Sequence, residues 1–166
     1  MFRFPQLFCA VFLAFMGSWV MAETSAVASS AVSTAAIKIA ADIRVEGAYV
    51  NVPVPGTKNT AAFFTLHNLG DQAASLVSVD IDVARRTELH SHTTKDGMMQ
   101  MRREEQIPIP AKSRVTFASG SYHVMLFDLQ RSIQTGEELQ LLFTFADGKQ
   151  LVATAKVKSI FDKHHH

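Results

Sequence analysis

The chain has 166 residues, with 16 Lys and Arg against 15 Asp and Glu, a formal charge of +1, 48% hydrophobic residues and 19% charged ones. That length suits one domain and not two, and the composition is that of a folded globular chain, not a disordered one. The balanced charge lacks the basic excess that displaces counterions from nucleic acid or engages an anionic membrane, so neither is expected as a partner.

Arg3 is the only charged residue among residues 1–22, Leu7 to Met16 is an apolar run, and Val20 and Ala22 put small residues where a signal peptidase reads. Residues 1–22 therefore read as a secretory signal peptide cleaved before Glu23, which predicts a periplasmic protein with no membrane attachment afterwards. An uncleaved anchor is the alternative, though Leu7–Ala22 is shorter than the ~20 apolar residues of a span. Phe8 before Cys9 does not suit lipidation. Cys9 is the chain's single cysteine, so cleavage leaves a mature chain without a thiol for an oxidising compartment.

After Glu23, residues 24–36 are Ala, Ser, Thr and Val with no period or aromatic residue, and residues 23–36 read as a flexible lead-in. A domain over 37–160 follows. Short runs rich in Val, Ile, Phe, Thr and Tyr predict strands at Ile37–Val45, Ala48–Val52, Ala61–His67, Ala74–Asp80, Arg86–His90, Met99–Arg103, Ser113–Phe117, Tyr122–Leu126, Glu138–Phe145 and Leu151–Val157. Pro55-Gly56, Leu69–Asp71, Ala118–Gly120 and Asp147-Gly148 break them. Such regularly spaced short strands predict an all-β antiparallel sandwich or Greek-key barrel. Leu139, Leu141, Phe143 and Phe145 alternate by two and share a face.

No phosphate loop, nucleophile elbow or Cys-x-x-Cys occurs, and an enzyme is not expected. The sulfur is placed unevenly. Beyond residue 22 the methionines are Met98, Met99, Met101 and Met125, and His90, His92 and His123 fall in the same 36-residue window. A single Met is most often core filler, and a single His most often a hydrogen-bonded structural residue. Here they come in pairs. His123 and Met125 at i and i+2 of a strand point from one face about 7 Å apart. His90 and His92 repeat that spacing, as do Met99 and Met101. Glu88 and Asp96, the nearest acids, read as solvated residues beside turns.

Thioethers are soft and uncharged, so they favour Cu(I) over Zn(II), Mg(II) or Ca(II), and imidazole is compatible with copper. Structural zinc would want thiolates, and a blue-copper carrier requires one. A convergent His2Met2 cluster that holds Cu(I) with ligands unable to form disulfides is the reading these residues favour.

His90, ten residues, Met101, twenty-one residues and then His123-x-Met125 is a spacing that resembles the periplasmic copper chaperones of the PCu(A)C family. Glu88-Leu89-His90, Asp96–Arg102, Ile107–Ala111 and Gly120–Leu126 are similar to that family's strongest stretches. Ala61-Ala62-Phe63-Phe64 resembles its Ala-Ala-Tyr segment, with Phe where an aromatic hydroxyl is common. Covering roughly Ala41 to Val157, the resemblance implies a cupredoxin-like Greek-key β-sandwich with a Cu(I) site made by His90, Met101, His123 and Met125. It implies copper delivery toward the dinuclear copper centre of cytochrome c oxidase, with oxidase subunit II or a thiol-based copper protein as acceptor. Copper storage or resistance, or a copper-cycling reductase, are the alternatives. His92, Met98 and Met99 are spare donors, His92 foremost because it shares a face with His90 in an extended segment. The His-ended tail, residues 161–166, reads either as a second, Cu(II)-binding site at His164, His165 and His166 or as a solvated end.

Overall fold

The computed structural model describes residues 38–95 and 98–159. The predicted signal peptide, the lead-in, the Asp96-Gly97 turn and the histidine tail lie outside the described residues. Eleven strands follow in chain order: β1 (Lys38–Ile39), β2 (Ile43–Asn51), β3 (Thr60–Asn68), β4 (Ala74–Asp80), β5 (Ala84–Lys95), β6 (Met98–Glu104), β7 (Ile107–Ile109), β8 (Ser113–Phe117), β9 (His123–Leu129), β10 (Glu138–Phe145) and β11 (Lys149–Lys158). The described chain is all-β. The spatial order is β6-β5-β9-β3-β2-β11-β10-β4-β7, with β1 beside β11 and β8 beside β3. Pairing is antiparallel except for β1 with β11 and β11 with β2.

Alternation explains the core. Leu139, Leu141, Phe143 and Phe145 of β10 are all buried, as their spacing predicts, and meet Val50, Leu66, Leu76, Val79, Leu126 and Val157 from other strands. Phe64 joins the layers, stacked on Phe117 with centroids 4.3 Å apart and edge-on to Phe143 at 4.9 Å. Each such side chain contributes about 1.5–3 kcal/mol by leaving water. Asp147-Gly148 closes the β10–β11 hairpin. Gly148 takes a φ of 78° and Asp147 Oδ1 accepts the Lys149 N–H at 3.0 Å, the local chemistry that makes Asp-Gly a turn signal.

The strands depart from the sequence expectation in three places. The predicted Ile37–Val45 and Ala48–Val52 are instead the short β1 and a continuous β2, whose register shifts between Glu46 and Tyr49 where Gly47 takes a φ of 64°. Gly47 marks a bulge and not a strand end. Ile107-Pro108-Ile109, read as no strand, forms β7 at the end of the sheet, where a proline is tolerated because β4 is its sole sheet neighbour. Arg86–His90 grows into the twelve-residue β5, which carries His90 and His92 in mid-strand.

β8 and β9 are two halves of one interrupted neighbour to β3. β8 pairs with Phe64–Asn68 and β9 with Thr60–Ala62 of the same strand, both antiparallel. The intervening residues 118–122 loop out, helped by Gly120 at a φ of 81°, and bring Ser121 over β5, where its carbonyl accepts the His92 N–H at 3.3 Å.

Candidate metal centre

β5 is flanked by β6 on the sheet edge and by β9 on the other side, and the register across these strands decides which side chains meet. Leu89 pairs with Val124 and Thr87 with Leu126. Leu89, Val124 and Leu126 point into the core. The alternate positions face away from it. There Glu88 pairs with Met125 and His90 with His123, and His92 pairs with Met101 of β6. Glu88, His90, His92, Met101, His123 and Met125 therefore share one face, because directly opposed residues project to the same side.

Three imidazoles gather here in pairs. The His92 and His123 rings have centroids 4.9 Å apart, and those of His90 and His123 are 5.7 Å apart. His123 is buried at 3% exposure, with Phe63 6.5 Å away and Tyr49 tilted against that ring at 5.1 Å. The phenylalanine at position 63 thus forms an apolar wall beside an imidazole.

Hydrogen bonds fix which nitrogens are free. His123 Nδ1 lies 3.1 Å from the Ser121 carbonyl. A carbonyl only accepts, so Nδ1 carries the proton and Nε2 keeps its lone pair. His90 Nε2 lies 2.8 Å from Glu88 Oε2, and the carboxylate likewise accepts from an Nε2–H, which leaves the lone pair on Nδ1. That His90 Nδ1 is buried and has no hydrogen-bond partner, and the same holds for His92 Nδ1. An unpaired buried polar atom costs about 1–3 kcal/mol. Two on one face suit a site meant to be completed by a cation.

Glu88 differs from its sequence reading. Expected as a solvated acid, its side chain is only 10% exposed and sits between His90, Arg86, which donates to Oε1, and Arg103 at 3.7 Å. The Arg86 guanidinium in turn lies 4.2 Å over the Phe127 ring. Glu88 acts as an outer anchor that sets ring orientation and tautomer for His90. The pattern Arg86-x-Glu88-x-His90-x-His92 carried the signal, since all four stand on one face of a strand.

Burial, and then the nearby Arg103 and Arg86 charges, hold His90 below the ordinary imidazole value of 6.5. Burial also lowers His123, against an opposing effect of its bond to Ser121 and with the His92 and His90 charges adding to the fall. Both shifts favour the neutral ring, the form that binds metals.

Of the four predicted ligands, His90, His123 and Met125 lie on the adjacent strands β5 and β9, while Met101 lies one strand further out, at the edge, 58% exposed. His92, treated as a spare, stands between Met101 and His123. Met98 is 64% exposed and by alternation faces away from Met101. His67 is elsewhere, on the stretch of β3 that pairs with β8, with Nε2 2.8 Å from Glu46 Oε2. Among the described residues, no three or more His, Cys, Asp or Glu converge closely enough to hold an ion. The nitrogen donors come in twos, with the thioethers of Met101 and Met125 on the same face.

Eleven strands ordered in this way among the described residues, with a donor face where β5 and β9 meet, define a cupredoxin-like Greek-key β-sandwich. A family model described as "Putative lipoprotein LpqE-like" matches residues 43–157, and the chain belongs to that family. It is 31% identical over 108 residues to "Putative lipoprotein Lxx21020" of Leifsonia xyli subsp. xyli, an alignment covering 64% of this chain and 65% of that protein. It is also 31% identical over 100 residues to "Uncharacterized protein RP573" of Rickettsia prowazekii, covering 60% and 55%. The chain thus spans less than two thirds of the length of these relatives. Among solved structures, the Cu(I) form of DR1885 from Deinococcus radiodurans superposes with a TM-score of 0.59 at 33% identity, over 69% of this chain and 77% of that one. The copper-bound PCuAC domain of PmoF2 has a TM-score of 0.61 at 24% identity, over 71% and 93%, a likeness of fold.

Proposed function

We propose that this protein binds Cu(I) through His90, Met101, His123 and Met125 and passes it to an acceptor, as binding and transfer and not as turnover. The observation that carries this reading is the buried, unpartnered Nδ1 of His90 on the same face as the His123 ring and the thioethers of Met101 and Met125. Soft thioethers with neutral imidazoles suit monovalent copper, and no carboxylate of the face is free to balance a divalent ion, because Glu88 already serves His90 and two arginines. The 33% identity to a Cu(I)-loaded protein supports the same ion.

The protein is exported to the periplasm by residues 1–22, a reading that the lipoprotein description of its family supports. Its acceptor holds Cu(I) more tightly than thioethers do, as thiolates would. Cytochrome c oxidase subunit II with its dinuclear copper centre, or a thiol-based copper protein, meets that requirement. A second, Cu(II) site at His164, His165 and His166 belongs to the same proposal.

A competition titration tests it. The protein takes up one Cu(I) against a chromogenic chelator and leaves Zn(II) with its indicator. Zn(II) binding equal to Cu(I) binding at this face contradicts the assignment.

A further inference from the structure

We propose that this face holds Cu(I) in two overlapping positions that share His123: an inner one completed by His90 and Met125, and a rim one completed by His92 and Met101. The inference rests on the copper reading above and extends it, making His92 a ligand and the site a short path instead of a point.

The imidazoles are arranged about His123 two by two, at 4.9 Å for His92 and 5.7 Å for His90, with no convergence of three such donors among the described residues. A single position that uses His90 leaves the buried His92 Nδ1 still unpartnered. A second position gives that nitrogen a partner whenever the ion is at the rim. The strand register supplies one thioether to each. Met101 stands directly across from His92 on the edge strand, exposed, while Met125 is half-buried, two residues from His123 and opposite Glu88.

The Ser121 carbonyl ties the two halves together. It accepts both the His92 backbone N–H and the His123 Nδ1 proton, so the residues of the rim pair are fixed relative to each other without Glu88. His90, in contrast, is anchored from Glu88 on its far nitrogen. The two positions therefore have separate anchors and one common ligand.

Movement between them is ligand exchange. The bonds from Cu(I) to His90 Nδ1 and Met125 Sδ break, those to His92 Nδ1 and Met101 Sδ form, and the bond to His123 Nε2 persists. Copper stays monovalent, and no proton or electron is transferred. At the rim the ion sits beside the exposed Met101, where an acceptor's thiolate can displace the thioether. The inner position retains the ion and the rim position hands it over.

Nuclear magnetic resonance of the histidine rings in the full protein, loaded with one equivalent of Cu(I), tests this without a variant. The His90, His92 and His123 ring signals all move. In transfer to a Cys-x-x-Cys peptide, His92→Asn and His92→Gln slow delivery by at least about tenfold while Cu(I) affinity changes less than tenfold, and His90→Asn lowers affinity more than either, on the scale of ligand-shell losses. Stationary His92 signals with wild-type transfer by His92→Asn overturn the proposal. So does an equal loss of affinity in His90→Asn and His92→Asn, which means one three-imidazole site. If no ring responds and no Cu(I) is bound, the copper reading itself fails, and this inference with it.

Discussion

The β10–β11 hairpin and the β5–β9 pair are built on the same antiparallel ladder and put it to different use. In both, one face is apolar and turned to the core: buried Leu141 and Phe143 opposite the partly buried Ala153 and Leu151 in the hairpin, Leu89 opposite Val124 in the other pair. The other faces differ. The hairpin shows water Gln140 with Thr154 and Glu138 with Lys156, whereas β5 and β9 place His90 with His123 and Glu88 with Met125 under partial cover. Stability is supplied by one side of the sandwich and chemistry by the other side of a single strand pair, so substitutions should separate them.

The largest effect is expected on the core side. Phe143→Ala leaves a cavity beside Phe64 and lowers unfolding free energy by about 3–5 kcal/mol in urea melts. An Ala variant as stable as the wild type would mean that the hairpin face is not the source of stability.

On the donor side, Met101→Leu and Met125→Leu keep apolar volume and cost less than about 1.5 kcal/mol of stability. Combined, they lower Cu(I) affinity by more than about a hundredfold in a chelator competition, since loss of ligands exceeds the loss of an outer partner. Wild-type affinity in the double variant would return these methionines to ordinary packing.

Much of this contrast was legible in the sequence, because alternation by two is a direct record of which face is buried. Leu139 to Phe145 showed it plainly. The pairing of His90 and His92 on one face was equally readable, since it follows from spacing alone. What spacing could not provide was the partner across the strand: that His90 faces His123, that His92 and not His90 faces Met101, and that β5 separates Met101 from β9. Glu88 was read as solvated because acids usually are, and its burial depends on Arg86, Arg103 and His90 meeting it in three dimensions. The extent of β5 was hidden because Ser91 and Thr93 interrupt any apolar alternation, and buried Ser91 is accommodated by its hydrogen bond to Glu104 Oε1.

Glu88→Ala sharpens the comparison at smaller scale. It frees the His90 ring and lowers Cu(I) affinity by about tenfold, and Glu88→Gln, which retains an acceptor for Nε2, recovers part of that loss. Equal affinity in wild type and Glu88→Ala would show that the acid merely balances Arg86 and Arg103.

The smallest effect is one of pH. His90 and His123 are both held below 6.5, so Cu(I) affinity stays level as pH falls to that value and declines only below it, as protons begin to compete for the two rings. Folding stability has the same sign. The unfolded chain binds protons first, so the stability that these rings contribute is complete above the unfolded value and is lost as pH falls through it toward the folded ones. Affinity that declines already above 6.5 would place the ligands among exposed histidines.

In the proposed site, thioether and imidazole from this one face hold monovalent copper. X-ray absorption at the copper edge of the Cu(I)-loaded protein reads both donors at once. The expected result is an edge of monovalent copper with sulfur and imidazole nitrogen together around the metal, and loss of the sulfur in the Met101→Leu, Met125→Leu double variant. A shell of nitrogen and oxygen alone, unchanged by that double variant, would contradict it.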